Sequence, residues 1–346
     1  MTPSTRSCGT ADMSPAIELR NLRVTLKTRA GPLDAVKGVS LAVAAGETLA
    51  IVGESGCGKS LTALAAMDLL PRPPAEIAGG QVLLAGRDLV PLSDREMQAV
   101  RGRDISMIFQ DPMSTLNPVL TIGAQLIEAI RRHRSLSRGE ARAYALDLLR
   151  KVRIPDPERR IDDYPHQLSG GMNQRIVIAM AIACGPKVLI ADEPTTALDV
   201  TIQAQVLKLL KDLQAEAGMA LIIITHDLGV VAETADRVLV MYAGHKVEEA
   251  SVEAIFDRPL HPYTRGLIAA TPSATPQRHE RLTEIPGTVP GLADLPPGCP
   301  FQNRCPDVFA RCATAMPALT TREEGRAVAC FAVEDKRERH VSSVYA

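Results

Sequence analysis

One stretch of eight residues constrains this chain more than any other. Gly53, Glu54, Ser55, Gly56, Cys57, Gly58, Lys59 and Ser60 follow the spacing G-x-x-x-x-G-K-S without a gap. A short apolar run, 48–52, leads into it. Helical periodicity from Leu61 to Leu70 follows, until the proline-rich segment 71–74 stops it. A glycine-rich loop between strand and helix turns backbone N–H groups inward around phosphate oxygens. Lys59 brings positive charge to the terminal phosphates, and Ser60 offers a hydroxyl to Mg²⁺. The helix starting near Leu61 adds its positive end to the anion site. The expectation is an α/β chain that binds a nucleoside triphosphate, ATP, through residues 53–61.

The remaining pattern suits that expectation. Segments 17–26 and 35–44 read as strands separated by a turn with Gly31 and Pro32, and 81–90 suggests another strand pair. Ser93 with Glu96, and Ser137 with Glu140, form capping boxes that each open a helix. Helical periodicity dominates 122–132 and 138–152, so the region from about 113 to 167 reads as a helical insertion. Alternation then resumes: helix 171–184, strand 187–191, helix 201–217 ended by Gly218, strand 220–225, strand 236–241. That order predicts a largely parallel sheet wrapped by helices.

Bulk properties exclude several classes. A net charge of -1 supplies no drive toward nucleic acid, so no nucleic-acid partner is expected. The longest apolar runs, 176–184 and 219–224, fall short of the roughly 18 residues that span a bilayer. Residues 1–16 lack the apolar core of a signal peptide and read as a flexible leader. Seven cysteines, an odd number, then argue for a reducing compartment over a disulfide framework.

A second acidic element complements the phosphate loop. Four apolar residues, 188–191, deliver Asp192 and Glu193 at a strand's C-terminal end. Asp192 there suits a carboxylate associated with Mg²⁺, and Glu193 suits a general base or positioner for an attacking water.

Leu168, Ser169, Gly170, Gly171, Met172, Asn173, Gln174 and Arg175 resemble the LSGGQ-type signature of ABC ATPases. Ser169 and the glycines would open a helix and leave a second anion site at its N-terminus. The resemblance implies that this site, with Leu168, Met172 and Gln174, closes over ATP held by a partner's phosphate loop. Gln110, ending the run from Met107, resembles the glutamine that reaches Mg²⁺ and the attacking water. His226 resembles the switch histidine near the γ-phosphate, and Asp199 the loop that meets the partner across a dimer. Two positions depart from the pattern. Asn173 stands where the family often has a basic residue, and Leu26 where it usually stacks an aromatic ring on adenine. The implied fold is an α/β P-loop NTPase of ABC type over 17–257. It combines a mostly parallel sheet core, an antiparallel β subdomain and the helical insertion.

The tail narrows the resemblance. His261 to Arg265, Glu284 to Gly287, and Pro296 to Phe301 with Arg304, Cys305 and Pro306 look like the ends of oligopeptide and dipeptide importer ATPases. The chain looks like the first of the two ATPase chains. This implies a second ATPase subunit, two transmembrane permeases and an external substrate-binding protein, at the cytoplasmic face of a membrane. Nickel and glutathione importers share the group, and a soluble non-transport ABC ATPase is the remaining alternative. Residues 258–346 read as a loop-rich extension in which Cys299, Cys305, Cys312 and Cys330 cluster. Four thiols could bind a metal, although the C-x₂₋₄-C pairs usual for zinc are absent. The resemblance suggests a [4Fe–4S] cluster, with zinc or plain buried thiols as alternatives.

Overall fold

The computed structural model describes residues 14–29, 31–196, 198–271, 284–322 and 325–334. The expected leader falls outside these except at its last three residues. The chain builds two sheets. In the smaller, β1 (Ile17–Thr28) lies between β2 (Gly31–Val43) and β4 (Ala75–Leu84), all antiparallel, and β5 (Arg87–Asp88) closes the edge. The strand pair expected at 81–90 is thus one long strand and a two-residue return. The chain reverses at Ala85 and Gly86, both at positive φ, so Leu84 pairs directly with Arg87.

Among the described residues the larger sheet has eight strands. Its parallel part consists of β6 (Ile105–Ile108), β7 (Val188–Asp192), β8 (Ala220–Ile224), β3 (Thr48–Val52) and β9 (Arg237–Tyr242). Every residue of β3, β7 and β8 is buried, as expected of strands covered on both faces. The first helix, α1 (Lys59–Ala66), begins two residues earlier than its periodicity suggests and ends four earlier. The short α2 (Asp94–Val100) starts at the capping box of Ser93 and Glu96.

The helical insertion contains α3 (Pro112–Thr115), α4 (Ile122–His133), α5 (Arg138–Lys151) and α6 (Pro157–Arg160). Thr121 caps α4, and the box of Ser137 and Glu140 caps α5. Ile122, Leu126, Ile130, Ala141, Ala145 and Leu149 are fully buried against α7 (Gly170–Ile182). The chain then passes through α8 (Val200–Ala217), stopped by Gly218 in the left-handed conformation, and α9 (Leu228–Thr234). No described helix is long and apolar enough to cross a membrane.

The extension is less detached than its composition suggests. Strand β10 (His245–Ser251), unpredicted by alternation, pairs antiparallel with β9 and leads into α10 (Val252–Asp257) and α11 (Pro262–Ala269). Beyond α12 (Ala310–Thr314), β11 (Thr320–Thr321) and β12 (Ala327–Val328) add the last two strands to the main sheet. Glu248 of β10 is fully buried. It accepts from the amides of Leu260 and His261 at 2.8 and 2.9 Å and pairs with buried Arg326 at 3.4 Å. Its neighbour Glu249 is held by Arg237 and Lys246. Buried Glu248 thus ties the extension to the sheet.

His261 caps α11, its Nδ1 accepting from the amide of Tyr263 at 3.1 Å. Burial, with the nearby charge of Arg265, pushes this imidazole down to about 3. An unfolded histidine titrates near 6.5, so only the unfolded state takes up the proton in between. The stabilisation by neutral His261 is therefore complete above about pH 6.5 and is lost as pH falls toward 3. H261N keeps a cap acceptor without that titration. Urea midpoints measured between pH 7.5 and 5 are expected to fall less steeply in H261N than in the wild type.

Candidate active site

Parallel pairing aligns the C-terminal ends of β6, β7, β8 and β3, and the site is assembled from the segments just beyond those ends. After β3 the chain enters the loop 53–58. Gly53 is required there: a Cβ would stand 2.3 Å from the carbonyl oxygen of Met241. Gly58 is at φ 103, and a Cβ would lie 2.8 Å from the carbonyl of Ala35. The loop is wedged against the β9–β10 turn, whose Gly244 amide donates to the Cys57 carbonyl at 2.9 Å. Ser55 and Gly56 face solvent at its crest. The Cys57 side chain turns inward, 1% exposed, so it contributes backbone to the cradle and not its thiol.

Lys59 is buried, and its Nζ donates to the carbonyls of Gly53 and Glu54 at 2.7 and 3.1 Å. The ammonium thus spans the loop it belongs to. Ser60 Oγ donates to Asp192 Oδ1 at 3.2 Å, joining the end of β7 to the start of α1. Burial pushes the Asp192 carboxyl up, and the Ser60 hydrogen bond opposes this. A hydroxyl and a carboxylate in contact form the oxygen-only donor set that suits Mg²⁺.

Glu193 is the point of convergence. Its backbone is left-handed, φ 47, and its amide donates to the Ile224 carbonyl of β8 at 2.8 Å. Its carboxylate accepts from Gln110 Nε2 at 2.8 Å and Thr196 Oγ1 at 2.9 Å, and its other oxygen lies 3.1 Å from His226 Nδ1. Burial pushes this carboxyl up, but the hydrogen bonds from Thr196 and His226 outweigh it and hold it below the usual glutamate range. Gln110 and His226 are exposed, so three chain segments present an ionised carboxylate at an open surface. Thr196 was missed by sequence reasoning. The hydroxyl three residues beyond Glu193 was the available signal.

Ser169 caps α7, its Oγ accepting from the Met172 amide at 3.4 Å, and Gly170 is exposed with open space where a Cβ would sit. Gly171 packs on Ile202 of α8, and Leu168 and Met172 pack half-buried on the core around the insertion. Gln174 departs from the expectation: it is 2% exposed and donates to the Pro194 carbonyl at 2.7 Å. It braces the segment after Glu193 and is not available to a partner's nucleotide. Asn173, also buried, donates to the Pro165 carbonyl at 3.0 Å. Asp199 is exposed and caps α8, accepting from Ile202 at 3.0 Å, with Val200 82% exposed beside it. Leu26 sits half-buried on β1 opposite Leu33 and Ala75, and Leu61 packs on the core beneath the loop.

In the extension, Cys299, Cys305, Cys312 and Cys330 line one cavity with His261 and Phe301. All four are free thiols. Burial raises Cys299 and Cys330, and Cys305 to about 11, with charge on neighbouring thiols adding to each. The cavity holds about 10 Å³, at the lower limit for a single water molecule. Among the described residues, no group of three or more His, Cys, Asp or Glu is placed to hold a metal ion. The thiols expected from sequence converge on one cavity, but as packed they are not arranged around a metal ion.

The ABC transporter family model matches residues 36–196, and the oligopeptide/dipeptide transporter C-terminal region matches 247–312. The chain is 53% identical over 315 residues to a probable peptide ABC transporter ATP-binding protein, y4tR, of Sinorhizobium fredii, covering 91% of this chain and 94% of that one. It is 52% identical over 328 residues to the dipeptide transport ATP-binding protein DppD of Bacillus subtilis, covering 95% and 97%. Among solved structures it resembles the dimeric ATP-binding cassette MJ0796 bound to ADP and Pi. That match has a TM-score of 0.61 and 30% identity, covering 68% of this chain and 98% of that one.

Removing the Lys59 ammonium deletes charge-assisted hydrogen bonds worth about 1.5–3 kcal/mol. K59A is expected to weaken fluorescent ATP-analogue binding by roughly 10- to 100-fold, measured by titration of the full chain.

Proposed function

Because the chain belongs to the ATP-binding proteins of peptide ABC transporters, we propose that it hydrolyses ATP to power peptide import through membrane permeases. The observation that carries the hydrolytic reading is the Glu193 carboxylate, held by Gln110, Thr196 and His226 beside the contact of Ser60 with Asp192. The 53–60 loop and Lys59 bind the triphosphate. Glu193 orients water and takes its proton as the water oxygen bonds to the γ-phosphorus and the bond to the β-phosphate oxygen breaks. His226 fixes the carboxylate and faces the γ-phosphate under attack. Mg²⁺, when bound, neutralises phosphate charge, and Ser60, Asp192 and Gln110 are the residues that would hold it.

The same reading assigns Ser169, Gly170 and Gly171 to the nucleotide of a second ATPase chain, with Asp199 at the contact between the two. Support comes from the exposed helix tip at Ser169 and Gly170 and from solvent-facing Val200. Exposed Phe109, next to Gln110, and exposed Val119 and Leu120, within the insertion, suit docking of the permeases. Peptide as cargo rests on the names of the relatives and on the matched C-terminal region. A substrate-binding protein outside the membrane completes the assembly, with this chain peripheral on the opposite face.

For the extension, the proposal is a [4Fe–4S] cluster on Cys299, Cys305, Cys312 and Cys330, supported by their convergence on one cavity, which the cluster would have to widen.

In the complex with its permeases, E193Q is expected to retain ATP and lose turnover by about 10²- to 10⁴-fold. Normal ATPase activity in that variant would reject the assignment of Glu193. Uptake of labelled di- and oligopeptides into vesicles bearing the complex checks the cargo; uptake of nickel or glutathione alone would redirect it. Anaerobically purified protein is expected to contain iron and acid-labile sulfide that C305S loses, whereas stoichiometric zinc or no metal would exclude the cluster.

A further inference from the structure

The second residue of the phosphate loop is an acid, an awkward group at a site built for anions. Glu54 is not left free. Its carboxylate takes a two-pronged pair from Arg304, Nη1 to Oε2 at 2.7 Å and Nη2 to Oε1 at 2.9 Å, across 250 residues of chain. Its amide donates to the hydroxyl of Tyr263 at 2.8 Å. Its carbonyl accepts from Lys59 Nζ. Side chain and amide of this one residue are thus fixed by the extension, while its carbonyl touches the lysine that meets phosphate.

Arg304 has the features of a rigid anchor. Its side chain is 5% exposed, and its Nε donates to the Pro286 carbonyl at 3.0 Å. The guanidinium lies 5.9 and 6.0 Å from the ring centres of Tyr242 and Phe301. Tyr242, Tyr263 and Phe301 are themselves buried and packed edge-on or tilted against one another. A fork with this many fixed partners cannot follow a moving loop, so the loop conforms to it.

We propose that Arg304 and Tyr263 are positioning residues for nucleotide binding: they hold Glu54 sideways, neutralise its charge and so set the resting shape of the phosphate loop. This rests on the ATP-binding reading and adds a function for the extension within it. Two costs arise when Arg304 is lost. The loop's first limb loosens, and an unpaired carboxylate faces the incoming triphosphate. The second cost disappears if Glu54 is neutralised at the same time, and a general loss of packing would not respond to that.

The test uses the full chain with its permeases, measuring KM and kcat for ATP hydrolysis and the affinity for a fluorescent ATP analogue. R304M is expected to raise KM and weaken binding about tenfold with kcat changed less than about twofold. Adding E54Q to R304M is expected to recover part of that loss. Y263F, which keeps the ring and removes the acceptor, is expected to weaken binding about threefold. Unchanged affinity in folded R304M, a fall in kcat at constant KM, or no recovery in the double variant would overturn the proposal. Should R304M not fold, unchanged affinity in Y263F overturns it. A wild-type complex that binds no nucleotide would instead sink the functional reading beneath it.

Discussion

Parallel pairing of β3 with β8, of β8 with β7 and of β7 with β6 gives all four strands one direction, so their chemistry emerges at a common edge. Gly53 follows β3, Gln110 lies two residues beyond β6, Asp192 ends β7 with Glu193 next, and His226 lies two residues beyond β8. None of these groups is close to another in sequence, apart from the acidic pair. The register Asp192 opposite Ile224, with the Glu193 amide bonded back to the Ile224 carbonyl, puts carboxylate and imidazole within 3.1 Å. A slip of one residue in that pairing would turn Asp192 to the opposite face of the sheet and away from Ser60.

Because the sheet is buried on both faces, its central strands are nearly pure Val, Ile, Leu and Ala, and this is what made them readable. Thr48–Val52, Val188–Asp192 and Ala220–Ile224 appear as short apolar runs followed by the residues that do the chemistry. Helix starts were legible where a capping box marks them, as at Ser93 and Ser137. The strand His245–Ser251 was not legible. Its inner positions include Glu248 and Glu249, and nothing local reveals that Arg326, Arg237 and Lys246 will meet them. A sequence pattern registers polarity and is blind to a partner arriving 78 residues later.

The site shows the same division. The loop and the acidic pair were visible because their spacing to neighbouring strands is local, whereas Gln110 and His226 were singled out by the family resemblance. The duties of Gln174 and Thr196 were not, since one buries itself against Pro194 and the other depends on how the chain turns after Glu193. Motif position alone put Gln174 at the surface facing a second chain; helical phase turns it inward. Arg304 and Tyr263 stood out only as marks of kinship, and their contact with Glu54 exists only in the folded chain.

The pair between Glu248 and Arg326 bears on how this molecule can be cut and recombined. Both side chains are buried, and leaving either one alone strands a charge at a cost of about 3–5 kcal/mol. A cassette trimmed after α10 would therefore carry a defect in its own sheet, and a graft taken from another chain would need its own arginine in register with β10. The seam suggested by the change in composition near residue 258 is not a safe place for scissors.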